Sequence, residues 1–275
     1  MTQEGFENYL YSIYNNKSGT AKSYITAIQI IDKLFSDNDV FGLRGKSLTS
    51  IDDTQLLIEI VDYICVQQSI YKKDTKRSFF EPVASTQTSY PKKGFCSAAI
   101  RQLLEYHKNE IYKEADKTIS GIKKGSAISK ALDKHFNLDK KGTDFQITTT
   151  ERIGQDYFRK MVLDNYENKC CVTGLNIPQI LRASHIVAWA DDKSHRMDPE
   201  NGLCLSATYD AAFDKHLISF DDNYRMIVGK NIKDYYTNDV VKEYFEKFEG
   251  KQITLPKFFS PNKELLSKHR KSLVI

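Results

Sequence analysis

The most constraining feature of this sequence is a stretch in which two short β-like runs, separated by a long loop, precede a helix. It reads CCVTGLNIPQILRASHIVAWADDKSHRMDPENGLCLSATYDAAFDKHLISF over residues 170–220. The apolar run ASHIV contains His185, and Asn201 opens the second run, NGLCL. Asp210 and Asp214 follow in the predicted helix, where an i,i+4 spacing places both carboxylates on one face. We therefore expect one imidazole and two carboxylates within reach of each other, with Asn201 entering from the adjoining strand.

The remaining sequence predicts two domains of an α+β protein. Apolar residues recur at helical spacing over 21–35, 56–64 and 100–111. The segments Ser18-Gly19-Thr20 and Asp52-Asp53-Thr54 are candidate N-caps of the first two helices. We predict a mainly helical domain over 1–115, a Lys- and Gly-rich junction over 116–150 and a second domain over 151–275. In the second domain we expect a helix over 154–169 and a closing strand pair, LISF and YRMIV.

Composition excludes several protein classes. The 275 residues are 40% hydrophobic, and 40 Lys plus Arg stand against 36 Asp plus Glu, which excludes wholesale disorder. No run approaches the roughly 18 apolar residues of a membrane span, and the first residues lack the layout of a signal peptide. We therefore expect a cytoplasmic protein without a membrane partner. The five cysteines include no Cys-x-x-Cys pair, so we expect no structural zinc.

A basic, aromatic segment lies in the predicted first domain. Residues 1–141 carry 21 Lys plus Arg against 17 Asp plus Glu, whereas residues 142–275 carry 19 of each. The cations of this segment are Lys72, Lys73, Lys76, Arg77, Lys92, Lys93 and Arg101. They alternate with Tyr71, Phe79, Phe80, Tyr90 and Phe95. One interpretation is a surface that contacts DNA phosphates and stacks on bases; the other is a solvated loop or short hairpin whose aromatic residues fold back on the core.

The residue types of the 170–220 stretch suit hydrolysis of a phosphodiester. That reaction needs a base to activate water and a divalent cation to neutralise the phosphate. Histidine suits the first task because its unperturbed pKa is about 6.5. Paired carboxylates are hard oxygen ligands that suit Mg²⁺ or a similar ion. An amide beside the histidine either fixes its orientation or completes the metal shell.

Several short motifs, in this order and spacing, resemble the HNH, or ββα-metal, nucleases. They are ERIGQDYFRKMVLDNYENKCCVTGL, LRASHIVAW, RMDPENGLCL, YDAAFDKHLISF, and LPKFFSP followed by LLSKHRKSL. The likeness is to the C-terminal nuclease domain of a bacterial restriction-endonuclease-like group and covers residues 150–275. The N-terminal domain resembles no family we identify. The resemblance implies a ββα-metal fold, a cation such as Mg²⁺ or Mn²⁺, and double-stranded DNA as substrate.

By position, the resemblance makes His185 the general base, Asn201 the middle residue of the motif, and Asp210 and Asp214 the metal ligands. Two positions depart from the family pattern. Ser184 stands where many relatives have His or Asp, and Asp210 stands where the family often has its last His. Either Asp210 and Asp214 hold the metal, with or without Asn201 and with water completing the shell, or the ligands lie elsewhere. Asp210 as a solvated helix residue, and Asp214 as a helix-end residue bonded to the backbone, remain alternatives.

Neighbouring residues carry competing interpretations. Arg182 and Arg196 either clamp phosphate or form ion pairs with nearby aspartates. Trp189, the one tryptophan, is expected to anchor the long loop to the core rather than to stack on a base. His195 and His216 are off the motif spacing and are expected to be bystanders.

These observations predict a metal-dependent DNA endonuclease, in which the N-terminal domain recognises the site and a homodimer cuts both strands. A restriction enzyme used in phage defence is the expected type. A restriction enzyme that requires a modified base is the nearest alternative. Two further alternatives are a DNA-binding or regulatory protein with an inactive nuclease fold, and a protein-interaction module whose nuclease acts only inside a complex.

Overall fold

A computed structural model describes residues 1–14, 19–138 and 144–274. The chain divides into two units, Met1–Glu114 and Ala115–Ile275. The expected α+β class is confirmed, because the first unit is helical and the strands assigned among the described residues all lie in the second. No helix in the described ranges is both long enough and apolar enough to cross a bilayer.

The first unit follows the helical spacing of its sequence. Its helices are α1 (Gln3–Ile13), α2 (Thr20–Asn38), α3 (Thr54–Lys73), α4 (Ser89–Lys93) and the first part of α5 (Phe95–Ile119). The carboxylate of Asp53 accepts hydrogen bonds from the backbone N–H groups of Gln55 and Leu56, so the predicted cap of α3 is confirmed. Ser18 of the other predicted cap lies outside the described residues. The apolar stripes of α2, α3 and α5 meet in one core.

The basic, aromatic segment has its aromatic residues in that core. Tyr71 and Phe80 are buried, and Phe79, Tyr90 and Phe95 pack against the same cluster. This segment was predicted to be a loop or short hairpin, and the hairpin is not formed. Its backbone instead forms 3₁₀ turns at Thr75–Arg77 and Ser85–Gln87, followed by α4. The six cations Lys72, Lys73, Lys76, Arg77, Lys92 and Lys93 are exposed. The exposed cations of this segment are therefore available for phosphate contact. Its aromatic side chains are packed in the core and are not available to stack on bases.

The net charges of the two units differ from those of residues 1–141 and 142–275, because the units divide the chain at a different position. Met1–Glu114 carries 14 Lys plus Arg and 14 Asp plus Glu, whereas Ala115–Ile275 carries 26 and 22. The positive excess of the front half therefore lies in residues 115–141, which belong to the second unit. The excess that we assigned to the helical recognition domain is in the unit that contains His185.

The second unit contains ten regular elements among its described residues. These are α6 (Gly125–His135), α7 (Asp144–Asn165), β1 (Leu181–His185), β2 (Gly202–Ser206), α8 (Ala207–Asp214), β3 (Ile218–Phe220), β4 (Met226–Val228), α9 (Lys230–Lys233), α10 (Asp239–Tyr244) and α11 (Lys263–Arg270), together with the end of α5. The predicted strand–loop–strand–helix order and the closing strand pair are confirmed. Helix α7 covers residues 154–165 of the helix predicted over 154–169 and ends at Asn165, four residues before the predicted end.

The stretch 116–150, which we predicted as a junction, contains α6 and the start of α7, whereas its residues 139–143 lie outside the described residues. Helix α6 is amphipathic, with Ile128 and Leu132 buried. It is tied to the long loop between β1 and β2, because the backbone N–H of Met197 donates to Ser129 Oγ at 3.3 Å. This helix therefore supports the loop beside the predicted site.

Strands β1 and β2 pair in antiparallel register, with His185 opposite Gly202. Helices α7 and α8 both pack against this pair, and β3 pairs with β4 beside α8. A Cβ atom at Gly202 would lie 2.4 Å from Val162 Cγ2 and 3.1 Å from Phe158 Cζ. Glycine at this position therefore permits close packing of α7 on the strand. Asn201 ends a 3₁₀ turn, Pro199–Asn201, that the Gly202 N–H closes by donating to the Pro199 carbonyl.

Candidate active site

His185 is the last residue of β1 and is held by contacts on several sides. Its ring stacks on Phe158 at 3.8 Å and 11° and meets the edge of Trp189 at 5.8 Å. Its Nε2 lies 3.0 Å from the carbonyl oxygen of Arg196. A carbonyl oxygen can only accept, so Nε2 carries the hydrogen and Nδ1 keeps its lone pair. Burial lowers the pKa of His185 below its ordinary 6.5, which keeps the imidazole in its basic form at pH 7.

Asn201 clamps the long loop between the two strands. Its side chain is fully buried; Oδ1 accepts from Val187 N at 2.9 Å, and Nδ2 donates to the carbonyls of Val187 and His195, both at 3.0 Å. Those bonds fix the loop that brings the Arg196 carbonyl to His185. The amide of Asn201 is therefore linked to the imidazole through the backbone of this loop.

We expect Asn201→Ala to lower the free energy of unfolding by about 3 kcal/mol or more, because three buried backbone groups lose their partners. Urea unfolding followed by circular dichroism measures the change. Asn223→Ala, at an exposed turn, is the control and should shift the free energy by about 0.5 kcal/mol or less. A loss below about 1 kcal/mol for Asn201→Ala would contradict the clamp.

Asp210 and Asp214 lie one turn apart on α8, as their spacing predicted. Asp210 is half-buried and Asp214 is exposed. Burial raises the pKa of both carboxyls, and the charge of Asp214 raises that of Asp210 further. Ser184 Oγ is buried without a hydrogen bond of standard geometry among the described residues, yet it lies close enough to lower both pKa values. Two carboxylates and one hydroxyl therefore converge from α8 and β1.

This donor set fits a hard divalent cation. No group of three or more His, Cys, Asp or Glu side chains that could hold a metal occurs among the described residues, so the set does not resemble a closed zinc site. Mg²⁺ usually retains several waters and takes one or two protein carboxylates together with substrate phosphate. A cation held at this point would offset the charge by which Asp214 raises the pKa of Asp210, and the Ser184 hydroxyl oxygen would be a further ligand.

Two cavities are both lined by His185. The first, of about 290 Å³, is lined by His185, Asp214 and His216, among others. The second, of about 300 Å³, is lined by His185, Arg182, Arg159 and Asp156, among others. His185 thus borders both a cavity that contains the Asp214 carboxylate and a cavity that contains two guanidinium groups.

On sequence spacing alone His216 is a bystander, and Arg159 is not singled out. His216 has a left-handed backbone with φ of 52° and lines the first cavity, and its Nδ1 is buried without a partner among the described residues. Arg159 reaches the second cavity from α7. The spacing of these residues from His185 gives no local signal, so the tertiary packing is what brings them to the cavities. The nearby His269 is a satisfied core residue, since its two ring nitrogens bond Phe213 O and Ser219 Oγ.

The remaining predicted contact residues have different environments. Arg182 is exposed. Arg196 is 8% exposed, donates from Nε to Trp189 O at 3.0 Å and lies over the Trp189 ring. Neither arginine forms an ion pair among the described residues, so the alternative of pairing with nearby aspartates is not seen there. His195 Nδ1 lies 2.8 Å from Asp192, away from both cavities beside His185.

Residues 170–221 match a family model described as HNH endonuclease. The match confirms the resemblance over the strand–loop–strand–helix segment, and it supports nuclease activity, a hydrolase acting on DNA. The N-terminal unit lies outside it. A search of curated proteins finds no match to the chain.

Proposed function

We propose that the chain is a metal-dependent endonuclease that cuts double-stranded DNA, of the restriction type, with His185 as general base. The observation that carries the proposal is the placement of a half-buried, neutral imidazole beside two carboxylates, in a segment matched by an HNH endonuclease family. Its Nε2 is held by the Arg196 carbonyl, and its Nδ1 has no hydrogen-bond partner among the described residues. A histidine that merely filled the core would have both ring nitrogens satisfied, as His269 does.

In the proposed reaction, Nδ1 of His185 takes a proton from the water that attacks phosphorus, and the bond to the 3′ oxygen breaks. The positive charge that forms on the ring is stabilised by the Nε2–H bond to the Arg196 carbonyl. Phe158 and Trp189 hold the ring plane, so that Nδ1 keeps its direction during the transfer.

Asp210, Asp214 and the Ser184 hydroxyl would hold the cation. When bound, a divalent cation supplies positive charge beside the phosphate oxygens. The raised pKa values of the two carboxyls describe a site in which unneutralised negative charge is unfavourable.

The recognition function is proposed for the N-terminal unit, since phosphate contacts position a protein on DNA without specifying sequence. Cleavage of both strands at one locus needs two active sites, so a homodimer is proposed. Recognition of a modified base by the N-terminal unit is the second form of this proposal.

The test is digestion of unmodified, methylated and hydroxymethylated plasmids with Mg²⁺, with Mn²⁺ and with chelator. We expect metal-dependent linear products with defined ends, determined by end sequencing. Cleavage confined to one modified substrate would select the modification-dependent form. DNA binding without cleavage under all metal conditions would overturn the nuclease and favour an inactive fold.

Two groups of exposed cations make a separable prediction about DNA binding. If Lys72, Lys73, Lys76, Arg77, Lys92 and Lys93 contact phosphates, neutralising these six should flatten the plot of log Kd against log salt by about 0.9 for each lost contact. The matched control neutralises Lys123, Lys124, Lys130 and Lys134, which are exposed in the more positive second unit. Fluorescence anisotropy gives both slopes. An unchanged slope after neutralising the first group would show that these six residues do not contact DNA phosphates.

A further inference from the structure

The second cavity beside His185 contains two guanidinium groups that form no ion pair within the described residues. Arg159 donates to the carbonyls of Leu181 and Pro178 at 2.8 and 3.1 Å. Arg182 donates to the Leu181 carbonyl at 3.0 Å. Both side chains are therefore held by backbone oxygens, with N–H groups left over.

Backbone carbonyls orient a guanidinium without cancelling its charge, unlike a carboxylate partner. Arginine has five N–H donors in a planar fork, so Arg159 keeps three after its two bonds. Both charges are close enough to lower the pKa of Asp210. The pair thus lies beside the predicted catalytic segment.

A second observation in the same cavity indicates that a ligand with a hydrogen-bond acceptor binds there. Trp189 lines it, and the indole Nε1 is buried without an acceptor among the described residues. Asp156 also lines the cavity, one turn before Arg159 on α7, but no ion pair joins the two. A ligand that fits must bring oxygen acceptors and negative charge, and it is opposed by Asp156.

We infer that Arg159 and Arg182 bind a phosphate of the cleaved DNA strand next to the scissile one, and so position that strand across His185. This inference rests on the proposed nuclease function, because the strand that it positions is the substrate. It adds Arg159, a residue of α7 outside the matched segment, to the substrate-binding surface. In this inference each guanidinium donates two parallel N–H bonds to two oxygens of the phosphate.

The experiment measures DNA binding of full-length protein in a His185→Ala background, where nothing is cut. Adding Arg159→Ala should weaken Kd for a DNA duplex about tenfold and reduce the slope of log Kd against log salt by about 1. Arg182→Ala should act in the same direction. Asp156→Asn, in the same cavity, should instead tighten binding, because it removes a repulsive charge.

Lys160→Ala is the matched control on the same helix, because Lys160 already pairs with Asp116 and Asp164. It should leave the salt slope unchanged. Arg159→Lys retains the charge and should recover most of the slope. An arginine that only braces the Leu181 and Pro178 carbonyls would give a lower thermal midpoint with an unchanged slope in Arg159→Ala, and that result overturns the inference.

Kinetics on the cleaving protein separate the inference from the reaction chemistry. A residue that holds a neighbouring phosphate contributes to ground-state binding, so Arg159→Ala should raise KM about tenfold and change kcat by less than about threefold. A fall in kcat with unchanged KM would place the guanidinium on the scissile phosphate instead and refute the positioning role. If the wild-type chain cuts nothing while the Arg159 slope change persists, the nuclease proposal fails and the phosphate site stands.

Discussion

Replacing His185 with alanine is expected to reduce the rate of DNA cleavage by about 10²–10⁴-fold, the contribution usual for a positioned general base. The imidazole is the group whose Nδ1 is free and whose Nε2 is fixed by Arg196 O at 3.0 Å. Single-turnover cleavage of a saturating DNA duplex in Mg²⁺ measures the rate of the chemical step. The Kd for the same duplex should change by less than about threefold, because the neutral ring carries no charge for phosphate.

The matched control is His195→Ala. That imidazole pairs with Asp192 in the same loop and lies outside both cavities beside His185. Its backbone carbonyl, which accepts from Asn201, survives the substitution. We expect cleavage within about threefold of wild type for this variant. Equal losses for the two histidine variants would show that the loop, rather than the base, was disturbed.

The pH dependence of cleavage should report the burial of His185. Burial disfavours the charged ring, so the pKa in the folded protein lies below 6.5. The base is therefore available at pH 7 and is lost as the pH falls through that lowered pKa. We expect the half-maximal rate to lie below pH 6.5, on an acidic limb that is absent from the residual activity of His185→Ala. A half-maximal rate at pH 7 or above in wild type would contradict this environment.

Parts of the site that depend on local periodicity could be predicted from the sequence. The i,i+4 spacing of Asp210 and Asp214 fixes their common face on any helix, and the register of two short strands follows from their apolar runs. The same reasoning placed His185 in the apolar run ASHIV, and the structure ends β1 at His185. These relations involve neighbours along the chain or paired strands, and they need no knowledge of the rest of the fold.

Other features could not be predicted, because they depend on residues far apart in the sequence or because the composition of the segment suggests a different structure. Asn201 was placed correctly beside His185, but its role depends on a loop whose path brings Val187 and His195 to its amide. Arg159 reaches the site from α7, which lies outside the local motif. The exposed lysines of α6 gave its sequence the composition of a linker, so the amphipathic helix was not predicted. Residues 115–141 and their positive charge belong to the second unit rather than to the first.

Neutralising either carboxylate of α8 should abolish metal-dependent cleavage. We expect Asp210→Asn and Asp214→Asn each to lower the single-turnover rate in Mg²⁺ by about 10²-fold or more, since an amide is a weaker ligand for a hard cation than a carboxylate. Asp234→Asn, at an exposed carboxylate paired with Lys230, is the control and should cleave normally. Retained activity in both α8 variants would show that the ligands lie elsewhere.

Although Asp210→Asn should lower the cleavage rate, it should not lower the thermal stability of the protein. This difference separates a carboxylate that binds a cation from one that stabilises the fold. The raised pKa of Asp210 means that the folded state disfavours its ionised form, so ionisation at pH 7 destabilises the fold relative to a neutral side chain. Asp210→Asn should therefore keep or raise the thermal midpoint in chelator. Wild type should gain stability as Mg²⁺ is added, because a ligand that binds only the folded state stabilises it, and the variant should gain little. A variant with a lower midpoint in chelator and an undiminished response to Mg²⁺ would assign Asp210 a structural role and remove it from the site.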